Sequence, residues 1–206
     1  MISEKIKTAR QFFNQKKYSE AFEIFSKIEN CYYESGLCSL LLKDKKQAYN
    51  FWNKNKKNCL ACDFGIKILS LIDLKITKKP TFFQTRAFLE VYLNLFLEND
   101  FVDWAQNLVS SSEILYQSNP ESYKFIARAL FSNGYFDLAI YFCKKTLKLH
   151  YFDPEAFLIY SQCEFLLGNL GEALDLINKV NRMVDDYFPA KIFRLVILEE
   201  IKKKNS

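Results

Sequence analysis

Asn133-Gly134-Tyr135-Phe136-Asp137-Leu138-Ala139 decides the fold of this chain. The segment returns one unit later as Leu167-Gly168-Asn169-Leu170-Gly171-Glu172-Ala173, and stands one unit earlier as Asn99-Asp100-Phe101-Val102-Asp103-Trp104-Ala105. Ala105, Ala139 and Ala173 are 34 residues apart, and so are Pro120 and Pro154. A fixed step near 34 residues, with two helical patterns around a turn in each unit, marks a stacked array of helical hairpins. One hairpin cannot bury its apolar face alone, so neighbours bury it jointly.

Working outward, the regular pairs are Pro120–Asn133 with Tyr135–Leu149 and Pro154–Leu167 with Leu170–Met183. Both prolines sit at helix starts, where a missing N–H is harmless. Upstream, Thr81 caps a helix through Glu98 that is apolar on several sides, and Phe101–Leu115 pairs with it. Looser pairs come first: Ser3–Asn14, capped by Ser3, with Tyr18–Ile28, then Cys31–Lys43 with Lys45–Lys57. The step between Ala21 and Ala48 is only 27 residues, which calls for tighter connections or a trimmed helix. Gly36 and Gly65 fall where a bulky side chain would hold helices apart. Cys59–Ile76 is a long single helix, and Thr77-Lys78-Lys79-Pro80 then breaks the pattern, because a residue before proline avoids the helical region. The reading is one domain over 1–206 with sub-arrays 1–79 and 80–206. Phe188–Lys204 closes it as a capping helix, with Ile192, Phe193, Val196, Ile197 and Ile201 expected to cover the last pair.

Composition agrees with an all-helical chain. Five Gly and four Pro among 206 residues are too few for a loop-rich β protein, and half of the residues are hydrophobic. No apolar run approaches the roughly 18 residues of a membrane span. No export signal follows Met1, so reduced thiols in a cytoplasm are expected. Net charge is +5, unevenly placed: residues 1–80 carry 16 basic and 8 acidic side chains, residues 81–206 carry 13 and 16. A lysine-rich N-terminal half is one route to nucleic acid. Only five of the 29 basic residues are arginine, the residue favoured for base contacts, so this alternative ranks second.

At the residues quoted above the chain resembles the tetratricopeptide repeat (TPR) family. The family's large, small and aromatic positions fall on Tyr123, Ile126, Ala127, Leu130, Gly134, Phe136, Ala139 and Cys143 in the Pro120 unit. In the Pro154 unit they fall on Phe157, Tyr160, Ser161, Gly168, Leu170, Ala173 and Ile177. The preceding unit offers Leu89, Tyr92, Phe96, Val102, Ala105 and Val109, with Asp100 where the family has glycine. The resemblance implies an all-α fold, a right-handed α-solenoid of TPR-like hairpins with a C-terminal capping helix. It implies a protein–protein interaction scaffold that takes an extended peptide or a helix of a partner in a concave groove. The groove positions carried over are Glu90 and Asn94, then Glu121, Lys124, Arg128 and Phe131, then Glu155, Leu158, Gln162 and Phe165. The N-terminal array adds Arg10, Phe13, Asn30, Tyr33 and Leu37. Lys124 and Arg128 lie one turn apart, so both can reach one anion or peptide carboxylate; the alternative is that they are solvated charges paired with Glu121 or Glu90. Members that clamp a chaperone's C-terminal carboxylate use lysines and asparagines. Here Glu90 stands where a lysine is wanted, and Glu155 and Leu158 supply no cation.

Residues with reactive chemistry are few. Cys59-Leu60-Ala61-Cys62 is a CxxC, with Cys31 and Cys38 upstream. A zinc ribbon wants two CxxC pairs and a redox CxxC a βαβ setting, so small apolar packing is the leading reading and a metal or redox site the third function class. His150, the one histidine, ends a second helix with no catalytic constellation in view. An enzyme is disfavoured, no cofactor or metal is expected, and self-association as a homodimer stays open.

Overall fold

The computed structural model describes residues 2–75 and 80–204. Among these no strand forms, and the chain folds as two compact units, Met1–Pro80 and Thr81–Ser206. No helix among the described residues is long and apolar enough to cross a membrane.

The first unit holds α1 (Ile2–Asn14), α2 (Tyr18–Phe25), α3 (Tyr32–Leu41), α4 (Lys45–Asn55) and α5 (Leu60–Ile72). Helix α1 starts ahead of Ser3, so that residue lies inside the helix and does not cap it. Helix α2 ends at Phe25, not Ile28, and with only 8 residues it accounts for the short step between Ala21 and Ala48. Asp44 caps α4, its carboxylate accepting the Gln47 N–H at 2.8 Å.

One side chain organises α3, α4 and α5. Trp52 of α4 is fully buried, and Gly36 of α3 and Gly65 of α5 close on its ring. A Cβ on Gly36 would lie 2.2 Å from the indole nitrogen, and one on Gly65 2.4 Å from the ring carbons. The indole N–H still finds a partner, donating to the Tyr33 carbonyl at 3.0 Å, so the tryptophan buries its large apolar body without orphaning a donor.

Helix α5 differs from the sequence expectation. Cys59 precedes it as the N-cap position, and it stops at Ile72; the expected end at Ile76, like Thr77–Lys79, lies outside the described residues. Leu74 takes a left-handed φ of 56° while the Lys75 N–H bonds back to the Ser70 carbonyl at 2.8 Å. That six-residue loop-back is the Schellman ending of a helix. The same ending closes the first helix of each hairpin, with Lys16, Lys43, Asp100, Gly134 and Gly168 at the left-handed position. So α5 stops as the first helix of a hairpin stops.

The second unit begins with a helix in three parts: α6 (Phe82–Ala87), a π segment (Phe88–Leu93) and α7 (Asn94–Glu98). Thr81 caps it through a reciprocal capping box with Gln84. The wider π turn was not expected. Phe88, Leu89, Tyr92 and Leu93 are buried along it. Then come α8 (Val102–Leu115), α9 (Pro120–Ser132), α10 (Phe136–Leu149), α11 (Pro154–Leu166), α12 (Leu170–Met183) and α13 (Phe188–Lys204). Helices α9 with α10 and α11 with α12 pack as tight hairpins, whereas α8 touches its neighbours sparsely. Ala105, Ala139 and Ala173 are all buried at the close approaches. Asp100 adopts φ 58° where Gly134 and Gly168 stand one and two units later, a strain of about 1 kcal/mol for a residue with a Cβ.

Gly65→Ala should overpack the tryptophan slot and lower stability by about 3 kcal/mol. Urea unfolding followed by tryptophan fluorescence measures this, and an unchanged midpoint would show that the indole moves aside without cost.

Candidate functional site

Two helix starts set the geometry of the second unit. Asn119 accepts the Glu121 N–H at 3.0 Å ahead of Pro120, and Asp153 accepts the Ala156 N–H at 2.9 Å ahead of Pro154. The prolines repeat at the 34-residue step, so equivalent positions of α9 and α11 face the same way. Asp153 uses one carboxylate oxygen for the cap. The other receives the ammonium of Lys124 at 2.9 Å. Lys124 also reaches Glu121 at 2.7 Å and Glu155 at 3.4 Å, and at 7% exposure it is buried. Burial disfavours its charge, but the hydrogen bonds it donates to Glu121 and Asp153 outweigh that and hold its pKa above the ordinary lysine value.

Arg128, one turn further along α9, bridges outward on both sides, to Glu90 of the π segment and to Glu155 of α11. Glu90 also pairs with Arg86 at 3.0 Å. The guanidinium groups of Arg86 and Arg128 lie 5.7 and 5.6 Å from the ring of Phe125. The Asn133 amide donates to Asn94 at 2.8 Å, and the Asn94 amide donates to the Glu90 carbonyl at 2.6 Å. First helices from three successive hairpins thus share one polar network. Tyr187, ahead of α13, sits close to it: burial, then Glu155 and Asp153, push its phenol up.

Glu90, Asn94, Glu121, Lys124 and Arg128 therefore come together as carried over from the resemblance, but the anion reading changes. The carboxylate that Lys124 and Arg128 share is the chain's own Glu155. The pairings with Glu121 and Glu90 both form, but Lys124 is buried rather than solvated. Three apolar positions are taken up by packing. Leu158 is 8% exposed, in a core with Phe157, Ile177 and Val180. Phe165 meets Phe193 of α13 edge-on at 5.4 Å, and Phe131 leans on Phe136 at 6.0 Å. Gln162 is half-buried. Sequence reasoning missed Asp153, Arg86 and Asn133. Asp153 carried a signal, a carboxylate just before a helix-starting proline, but it signals a cap and says nothing of a lysine 29 positions back.

The turn residues 100, 134 and 168, the buried alanines five positions after each, and the aligned first helices are one repeating unit. The fold is tetratricopeptide-like. No protein-family profile matches the chain, and no curated protein matches it in sequence. Among solved structures this TPR-like chain is similar to the first TPR domain of Spaghetti (RPAP3) bound to the HSP90 peptide SRMEEVD. The two are 20% identical, over 58% of this chain and 94% of that one, with a TM-score of 0.48. It is also similar to YrrB, a TPR protein with an unusual peptide-binding site: 14% identity, 92% and 90% of the two chains, TM-score 0.47. A third is TTC0263, a thermophilic TPR protein from Thermus thermophilus: 14% identity, 96% and 99%, TM-score 0.44.

All six cysteines are free thiols, and five are buried; Cys59 is half-buried and hydrogen-bonded to Cys62. Among the described residues no three His, Cys, Asp or Glu side chains gather as a metal site. Burial raises Cys38, Cys62 and Cys163 from the ordinary 9.0 to about 12, and raises Cys143 as well. His150 is exposed beyond the end of α10, its ring 3.7 Å from Asp153.

Lys124→Met should leave Asp153 buried without its cation and cost about 3 kcal/mol in urea unfolding, while Arg86→Met, at an exposed pair, should cost under about 0.5 kcal/mol. Thiols that titrate higher in the folded chain than in the unfolded one give stability that is full below pH 9 and is lost as pH rises through about 12. The decline of unfolding free energy above pH 9 should be shallower for Cys38→Ala/Cys163→Ala than for the wild type.

Proposed function

We propose that this chain is a protein–protein interaction module, and that the face of the second unit built by its first helices receives an extended segment or a helix of a partner. The observation that supports this most is the row Glu90–Arg128–Glu155, drawn from three successive hairpins. It stays open to solvent, at side-chain exposures of 28, 35 and 35%. Around it Arg86, Lys124 and Arg128 meet Glu90, Glu121, Asp153 and Glu155, three cations against four carboxylates. An acidic tail finds every cation here already bonded to a carboxylate. A Lys or Arg on an incoming segment finds Glu121 and Glu155 partly open, and charge-assisted hydrogen bonds are the strong ones. Asn94 and Gln162 add amides for the backbone of such a segment. The occupant is therefore a peptide or helix that carries basic residues.

Selection of a random 12-residue peptide library on the immobilised protein tests this reading. Enriched peptides should carry Lys or Arg, and their affinity should fall at least tenfold on Glu121→Gln/Glu155→Gln, a variant that keeps side-chain size. Enrichment of acidic peptides, or affinity indifferent to that variant, would overturn it.

A further inference from the structure

Helix α13 was expected to close the array with its apolar side inward and a polar side outward. Only part of that holds. Ala190 and Ile197 are buried in the core with Ile177 and Val180, and Phe193 and Ile201 pack beside them. The opposite side is apolar too. Phe188, Ile192, Leu195 and Val196 are 68, 46, 56 and 42% exposed. Their spacing of four, three and one residues places them on one stripe of the helix. Ile192 and Val196, assigned by sequence to cover the last hairpin, thus face away from it. A terminal helix in a repeat array ordinarily turns a polar face to water, and a contiguous exposed apolar patch marks an interaction surface.

The ends of this helix carry opposite charge. Asp185 and Asp186 stand just ahead of it, Asp186 meeting Lys191 at 3.1 Å, and Lys202, Lys203 and Lys204 fill its last turn, Lys203 lying 3.9 Å from Glu200. We propose that the stripe is a self-association surface on which a second copy of the chain lays the same helix antiparallel. In that arrangement the Asp185–Asp186 end of each copy lies beside the lysine end of the other, so the attraction occurs twice. A parallel arrangement would set aspartates against aspartates and lysines against lysines. Opposed helix dipoles favour the antiparallel choice as well. Ile192 of one copy comes within a turn of Leu195 and Val196 of the other. Glu199, which ends the apolar stripe, comes within a turn of Lys191 of the other copy. Two-fold symmetry makes such a patch self-complementary. The helix has 17 residues and is about 26 Å long at 1.5 Å per residue. A single helix pair of that length covers less than the roughly 800 Å² per partner of a tight complex, so the dimer is a weak one that forms with concentration.

Sedimentation of the whole chain between about 2 and 500 µM tests the proposal. The weight-average mass should rise from 24.3 kDa toward twice that value. Ile192→Glu/Leu195→Glu should hold it at the monomer throughout, with unchanged helical circular dichroism and melting temperature. Asp185→Lys/Asp186→Lys and Lys202→Asp/Lys203→Asp should each weaken association at least tenfold, and an equimolar mixture of the two should associate as well as the wild type. A wild type that stays at 24.3 kDa at 500 µM overturns the proposal. So does association that survives the glutamates, or charge variants that associate as the wild type does.

Discussion

Two helices joined by a three-residue turn share a core only if one lets the other come close, and small residues grant that here. Ala21, Ala48, Ala105, Ala139 and Ala173 are all buried in the second helices of their hairpins. At Ala173 the approach is near enough for the Ser161 hydroxyl of the facing helix to donate to its carbonyl at 2.7 Å. Small side chains at a contact let helix axes approach the short end of the usual range of about 8–10 Å. In the first unit, Gly36 of α3 and Gly65 of α5 add to Ala48, and Trp52 fills the space between them. Both solutions obey one rule: the volume removed from one helix is matched by what the neighbour inserts, because interiors are close-packed.

Between first helices the constraint is electrostatic. Lys124 is buried, and a buried ammonium is costly unless fully bonded. Three carboxylates surround it, one of which also caps α11. That double use matters for register. If α11 slid by a turn along α9, Asp153 would keep its cap and lose its lysine, or keep the lysine and lose the cap. Buried ion pairs add little net stability, but they penalise wrong alignments, and Leu- and Ile-rich faces alone would tolerate several. The same network leaves its excess negative charge on the outer carboxylates, Glu121 and Glu155, so the element that fixes register also sets the charge of the candidate binding face.

Much of the architecture was legible in the sequence. The alanine and proline steps, the capping threonine at position 81, and the two glycines reserved for close approach all appear in the structure where the pattern placed them. What escaped has a physical reason in each case. Four buried large residues within Phe88–Leu93 fit α and π periodicity equally well over so short a run, so the π turn carried no signature. The end of α2 was overrun because Ile28 continues the apolar spacing while the chain already turns. The groove positions at Leu158 and Phe165 assumed an open face, whereas α12 and α13 pack over them. Glu121 was in view as a partner of Lys124, three residues away on the same helix, but Asp153 was not, because pairing across 29 residues depends on the angle between successive hairpins, which no local pattern encodes.

The buried thiols lend the chain a built-in clock. A thiol with a pKa near 12 is ionised about once in 10⁵ molecules at neutral pH, so it is almost inert to alkylation while covered. Modification therefore proceeds through transient opening, and its rate reports the free energy of that opening. Cys31, Cys38 and Cys62 lie in the first unit, Cys143 and Cys163 in the second. Mass-resolved labelling thus times the breathing of each unit separately in the unmodified protein, with the half-buried Cys59 supplying the reference rate of a more accessible thiol.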